Sequence, residues 1–254
     1  MRRGSQEARR LSAKQLFSGS IPLRASRIKM PQKRKDLKIE GANLWYLVGL
    51  ITSDGCLCKD GRHIDVTSKD QGFLQAIKKQ LGLTSRVCIK NKNMPKQAYR
   101  IQIANKGFYE FLLSIGLMQN KSLTLGALNI QNRFFADFLR GLIDGDGCIR
   151  SWIHPTNKRE QWSLRIYSGS IKFLGWLEPM IEMIFKARGK LYRYNKQGSC
   201  YVLKFGKIAA RHIIQQCYYP GSFGLERKIL LAEECINSNI GWNRSKTIDS
   251  LEFA

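Results

Sequence analysis

Leu47-Val-Gly-Leu-Ile-Thr-Ser-Asp-Gly55 and Leu139-Arg-Gly-Leu-Ile-Asp-Gly-Asp-Gly147 are two copies of one pattern, 92 residues apart. In the first copy Leu44, Trp45, Leu47, Val48, Leu50 and Ile51 put apolar side chains on nearly every side of a helix that ends at Asp54-Gly55. Residues 134–143 predict a second such helix, ending at Asp146-Gly147, each Gly standing where a helix C-terminus favours one. A helix apolar all round must be buried all round, and two of them are most simply buried against each other. Gly inside a helix costs roughly 1 kcal/mol against Ala, so Gly49 and its repeat Gly141 call for a packing reason. With Ser53 and Gly145 one turn on, they allow the two backbones to approach closely. That pairing would set Asp54 and Asp146 side by side. Two carboxylates there repel each other and face the unfavourable end of each helix dipole, a conflict that a divalent cation relieves.

The repeat continues beyond the helices. In the first half Ile64-Asp-Val-Thr67, Val87-Cys-Ile-Lys90 and Tyr99-Arg-Ile-Gln-Ile103 read as strands, and residues 73–81 and 108–115 as helices. The second half keeps the order: strands at 164–167, 190–194 and 201–205, helices at 173–185 and 208–217. Ser68 matches Ser168 at an offset of 100, which places an eight-residue insertion near residues 151–161. The fold class expected is α+β, as two homologous units in one chain rather than a solenoid. The organisation reads as a basic arm over 1–40, a first unit over 41–128, a linker over 129–133, a second unit over 134–240 and a tail over 241–254.

Over 254 residues Lys and Arg number 43 against 19 Asp and Glu, a formal net charge of +24. Such self-repulsion is usually retained because the partner is a polyanion. No run of 18 apolar residues occurs, so a transmembrane helix and a membrane partner are not expected. Seven cysteines without a CxxC argue against structural zinc and for a reducing compartment; most sit among apolar residues, as small buried hydrophobes do. Three scattered histidines argue against a histidine–metal nuclease site, which leaves carboxylates as the chemical groups. Residues 1–40 hold 12 Lys or Arg against three acids, and suit a disordered DNA-tethering arm, a transit peptide or an upstream extension ahead of Met30.

Lys90, Lys92, Lys96, Arg100, Arg150, Arg165, Lys190, Arg193, Lys196 and Lys204 lie in or beside the strands, mixed with Gln102, Tyr167 and Tyr192. Strand periodicity turns one face to the helices and the other outward. A basic outer face with Gln and Tyr suits reading major-groove edges while neutralising phosphates, so these residues are the candidate DNA contacts. Trp152 and Trp162, in the inserted hairpin, are added as candidates; Phe134, Phe135, Phe138, Trp176 and Phe185 are assigned to the core.

On these residues the chain resembles the LAGLIDADG homing endonucleases in their single-chain, two-motif form. The match over 139–147 is close; that over 47–55 has Thr52 where the pattern carries Asp, at a position that is not the catalytic one. The resemblance covers roughly residues 43–236. It implies two pseudo-symmetric αββαββα units with saddle-shaped antiparallel sheets, packed through the motif helices. It implies hydrolysis of both DNA strands across the minor groove, leaving 3′ overhangs, with Mg2+ as cofactor. Mn2+ is expected to substitute, and Ca2+ to support binding without cleavage. Asp54 and Asp146 fall on the metal-binding acidic position, Lys121 and Lys228 on the basic residue near the catalytic centre, and Asp65 and Arg165 on the water-positioning polar residue. The partner implied is double-stranded DNA with a long pseudo-palindromic or asymmetric site, bound by a monomer, with intron RNA as a further partner. Such a protein is expected in an organelle or a prokaryotic cytoplasm. The alternatives on the same fold are an intron RNA maturase and a non-catalytic sequence-specific DNA-binding protein. An intein origin is not expected, since the chain opens on Met and closes on Leu-Glu-Phe-Ala.

Overall fold

The computed structural model describes residues 39–90, 97–195 and 197–238. The basic segment before residue 39, the tail after 238, and Lys92, Lys96 and Lys196 lie outside the described residues. Two units follow each other with the same element order. The first is α1 (Gly41–Asp54), β1 (Gly55–Leu57), β2 (His63–Ser68), α2 (Gln71–Gln80), β3 (Val87–Ile89), β4 (Tyr99–Ala104) and α3 (Lys106–Ser114). A 3-10 turn at Asn132–Phe134 leads into α4 (Phe135–Asp146), β5 (Gly147–Ile153), β6 (Glu160–Ser168), α5 (Ile171–Phe185), β7 (Lys190–Arg193), β8 (Tyr201–Phe205) and α6 (Lys207–Cys217). A further helix, α7 (Glu226–Asn237), closes the second unit.

Each unit builds one antiparallel four-stranded sheet, ordered β1-β2-β4-β3 and β5-β6-β8-β7. The identical order is the structural form of the sequence repeat. The insertion lies in the β5–β6 hairpin, whose ladder runs from Gly147↔Ile166 to Ile153↔Glu160, whereas β1–β2 pairs only Gly55↔Val66 to Leu57↔Ile64. Side-chain caps recur as well: Asp70, Asn105 and Ser170 each accept from the main-chain N–H three residues on, of Phe73, Phe108 and Phe173, satisfying a donor that the first helical turn leaves open.

The centre of the molecule is the α1–α4 pair, buried along most of both lengths. Its closeness follows from two glycines. A Cβ on Gly49 would lie 2.0 Å from the Phe138 carbonyl oxygen, and one on Gly141 would lie 2.0 Å from that of Tyr46. These are the same contact seen from each half, so the interface has a local two-fold. Trp162 is only 2% exposed and faces the core from β6, which removes it from the candidate DNA contacts; Trp152, paired with Gln161, lies on the outer face. A tryptophan in a hairpin could face either way, and register decided it. No helix among the described residues is long and apolar enough to cross a membrane.

Candidate active centre at the paired helix ends

Both motif helices run directly into strands. Gly55 and Gly147, the first residues after α1 and α4, have φ of −94° and −82° with extended ψ, so neither is the left-handed cap that the sequence suggested. Glycine is required there for space instead: a Cβ would meet the Ile51 or Ile143 Cα at 2.6 Å. Without a left-handed turn the last helical carbonyls need other donors. Two lysines supply them.

Lys121 is 8% exposed and its Nζ donates to the carbonyls of Gly55 and, at 3.5 Å, Ser53. Lys228 is 3% exposed, and its Nζ donates to the carbonyls of Ile143, Asp144 (2.8 Å) and Gly147 (2.9 Å). Each ammonium thus sits at the negative end of one motif helix, where a cation is favoured. Burial pulls Lys228 down to about 8 and lowers Lys121 as well. Lys228→Met should cost about 2 kcal/mol in a urea unfolding titration, because it strands buried carbonyls. Lys228→Arg should not recover it, since a planar fork cannot converge on carbonyls around one end.

Asp54 and Asp146 end α1 and α4, and both side chains reach solvent. They face each other closely enough that the surrounding protein, and then the Asp146 carboxylate, push Asp54 up to about 6, against the pull of Lys228 and Lys121. Asp146 is likewise raised by the surrounding protein, with Lys121 and Lys228 opposing. The Gly145 backbone comes against Asp54, since a Cβ there would lie 3.2 Å from Asp54 Oδ2. Neither carboxylate accepts a hydrogen bond from a donor among the described residues. The four predicted groups from two halves therefore converge: two carboxylates, and two ammoniums that feel them.

Asp144 was not singled out from sequence, and it organises this corner. It is 2% exposed and accepts from the hydroxyls of Tyr46 (2.8 Å) and Tyr218 (2.7 Å) and from the Leu225 N–H (2.7 Å), just ahead of α7, which carries Lys228. In the first half its place is taken by Thr52, whose hydroxyl donates back to the Val48 carbonyl at 2.7 Å. The residue matching Tyr46 is Phe138, which has no hydroxyl to place. The two departures from the repeat are thus complementary: Tyr46 of one half serves Asp144 of the other, and Phe138 and Thr52 need no such bond. That paired exchange was the available signal.

The outer sheet faces differ. On the first, Asp65 accepts from Gln102 Nε2 at 2.9 Å and Arg100 Nη1 at 3.2 Å, and the Lys90 Nζ donates to Thr67. On the second, Cys148, Arg165, Lys204 and Lys190 form one cross-strand row, with Arg150 on the neighbouring strand position. Tyr167 and Tyr192 flank Val202, which is fully buried although it points outward. Arg165 is held by Tyr167, while its Nε has no hydrogen-bond partner among the described residues. Arg193 falls on the opposite parity, over the Tyr201 ring at 5.5 Å.

Residues 42–116 match the family model of the LAGLIDADG-like domain. Solved structures extend the likeness over both units. A structure of mesophilic variants of the homing endonuclease I-DmoI covers 76% of this chain and 97% of its own, at 16% identity and a TM-score of 0.50. The meganuclease I-SmaMI, bound to uncleaveable DNA, covers 78% and 91%, at 12% identity and a TM-score of 0.51. The fold is the LAGLIDADG fold. Full-length DUF199/WhiA from Thermatoga maritima also aligns, over 79% of this chain and 62% of that one, less than two thirds of its length, at 15% identity and a TM-score of 0.49. No curated protein matches the chain. In the LAGLIDADG fold found here the motif helices are α1 and α4, and the pattern ends on Asp54 and Asp146.

Proposed function

We propose that the protein is a site-specific endonuclease that hydrolyses both strands of duplex DNA, with divalent cations held between Asp54 and Asp146. The observation that carries this reading is the pair of carboxylates itself. They come from opposite halves, no donor among the described residues is spent on them, and their ionised forms are held together at an electrostatic cost. That donor set fits a hard cation: two carboxylates leave room for waters and phosphate oxygens, which Mg2+ prefers to keep. When bound, such an ion supplies Lewis-acid stabilisation and an activated water at neutral pH.

The chain's own residues do the rest. Asp54 and Asp146 hold the cation, and Lys121 and Lys228 fix the helix ends that carry them while offsetting part of their charge. Asp65 and Arg165 occupy the same register position beside each centre, opposite Cys56 and Cys148. They differ in chemistry: Asp65 can orient a water by accepting from it, whereas Arg165 can only donate, to a phosphate oxygen. Arg150, Lys190 and Lys204 on the second sheet, and Lys90, Arg100 and Gln102 on the first, neutralise phosphates and meet base edges, with Tyr167 and Tyr192 between them. One chain supplies both halves, so the acting species is a monomer, cutting across the minor groove to leave 3′ overhangs.

The test is a pooled cleavage selection. Genomic DNA or a randomised duplex library is incubated with protein in Mg2+ and separately in Ca2+, and the ends are sequenced. Mg2+-dependent ends at one long motif are expected. Enrichment of a motif without cutting would make the protein a DNA-binding one, and neither outcome would turn attention to RNA.

A further inference from the structure

The ladders of the two sheets share one register, so their outer faces correspond position by position. Cys56 corresponds to Cys148, and neither is buried; of the seven cysteines, expected mostly as buried hydrophobes, only Cys217 and Cys235 are. Beyond that pair the chemistry diverges. Asp65 corresponds to Arg165, Gln102 to Lys204, Arg100 to Val202 and Thr67 to Tyr167. On the first sheet these side chains hold one another. Asp65 accepts from Gln102 through one carboxylate oxygen, at 2.9 Å, and from Arg100 through the other, at 3.2 Å. The Arg100 side chain stays 39% exposed against 15% for Asp65, so the carboxylate lies deeper than the guanidinium it holds. The charges of this trio cancel: one anion, one cation and a neutral amide. The matching positions of the second sheet hold two cations, Arg165 and Lys204, and the apolar Val202, with Lys190 next in the row.

We propose that the two sheets divide the recognition of DNA: Asp65 presets Arg100 and Gln102 to read a guanine and a neighbouring adenine, while Arg165 and Lys204 supply affinity without choosing bases. The proposal rests on the endonuclease reading, whose contacts it divides. A guanidinium free to swing meets a phosphate as readily as a base. One held by a carboxylate keeps its planar fork in place and has its charge partly answered, so a phosphate gains less from it and guanine O6 and N7 remain its best partners. Gln102 spends one amide hydrogen on Asp65 and keeps one donor and its Oε1 acceptor, the pair that adenine N7 and N6–H require. Asp65 is thus a positioning residue for both readers. Lys204 and Lys190 are point charges on flexible stems, suited to neutralising phosphates over any sequence. Arg165 has a lysine across the ladder where Asp65 has an amide, and no carboxylate to fix its fork. The target is therefore unequal in its two halves, with base choice at these positions confined to the half under the first sheet.

A randomised duplex library is selected for binding in Ca2+ by the full chain, as wild type and as Asp65→Asn, Arg100→Lys and Lys204→Gln. Affinities for the wild-type motif are then followed across a salt series. That motif should carry adjacent guanine and adenine preferences in one half. Asp65→Asn leaves Arg100 and Gln102 in place, yet should cut the preference for that guanine roughly tenfold, and Arg100→Lys should do the same. Lys204→Gln should leave the motif as it is, weaken binding to every sequence alike and lower the salt slope by about 0.9. An unchanged guanine preference in either Asp65→Asn or Arg100→Lys, or a base preference altered by Lys204→Gln, would overturn the proposal. A motif that is enriched but never cut in Mg2+ would overturn the endonuclease reading instead, and the three variants would still judge the division of contacts. No motif in any selection would overturn the DNA reading and this proposal with it.

Discussion

Asp54→Asn and Asp146→Asn should each abolish double-strand cleavage, by about a thousandfold or more, while leaving specific DNA binding within about threefold. The substitutions are isosteric, and neither carboxylate accepts a bond from the described residues that holds the fold, so the helices should pack as before. What is lost is one of two anionic ligands. The asparagine amide also removes a negative charge that faces incoming phosphates, so affinity at low salt should rise slightly rather than fall. Nicked and linear products from a supercoiled plasmid carrying the selected site separate the two strands, and binding is read by anisotropy across a salt series, because affinity at a single salt concentration says little. Full linearisation by either variant would remove the carboxylate pair from the mechanism.

Gly49→Ala or Gly141→Ala should be the most damaging small change in the molecule. The added Cβ would stand 2.0 Å from a main-chain oxygen of the facing helix. No rotamer change relieves a clash with backbone, so α1 and α4 must separate along their seam. Overpacking of a tight core costs typically 1–3 kcal/mol, and this site should reach about 3 kcal/mol or more, roughly 10 °C in Tm for a domain of this size. Because the same helices carry Asp54 and Asp146, cleavage should fall further than stability alone requires. Gly175→Ala gives the contrast. It lies inside α5 with nothing within 4 Å of its added Cβ, so it should stabilise by about 0.5–1 kcal/mol. Thermal melts of the three variants decide between a steric seam and a general intolerance of alanine.

Much of this was legible in the sequence because the chain states it twice. The paired Asp-Gly ends, the glycines of the seam and the strand–helix order could be read by superposing one half on the other. What escaped notice depended on contacts across the interface or on elements with weak pattern. β1 is three residues long, too short for alternation to show. The buried face of α7 is Lys228, Ala232 and Cys235, and a lysine at a core position hides a helix from any hydrophobic pattern. The role of Lys121 and Lys228 as donors to helix-end carbonyls follows from Gly55 and Gly147 being extended, which composition cannot reveal. Asp144 went unremarked because its partners Tyr46 and Tyr218 are 98 and 74 residues away. Its meaning appears only when both departures from the repeat are compared together.

The central claim is that Asp54 and Asp146 form one cation site whose ionised state the fold supports at a cost. Asp54 titrates near 6 in the folded protein, above the 3.8 of a free side chain, so the folded state holds its proton more tightly. The resulting stability is fully present below pH 4 and is lost as pH rises through about 6. A cation that replaces the proton should restore it only where the carboxylates are ionised. The measurement is Tm with and without Mn2+ at pH 5 and pH 7.5, on the wild type and on Asp54→Asn. The rise with Mn2+ should be clearly larger at pH 7.5 than at pH 5, and should collapse in the variant. An equal rise at both pH values, unchanged by Asp54→Asn, would contradict the claim.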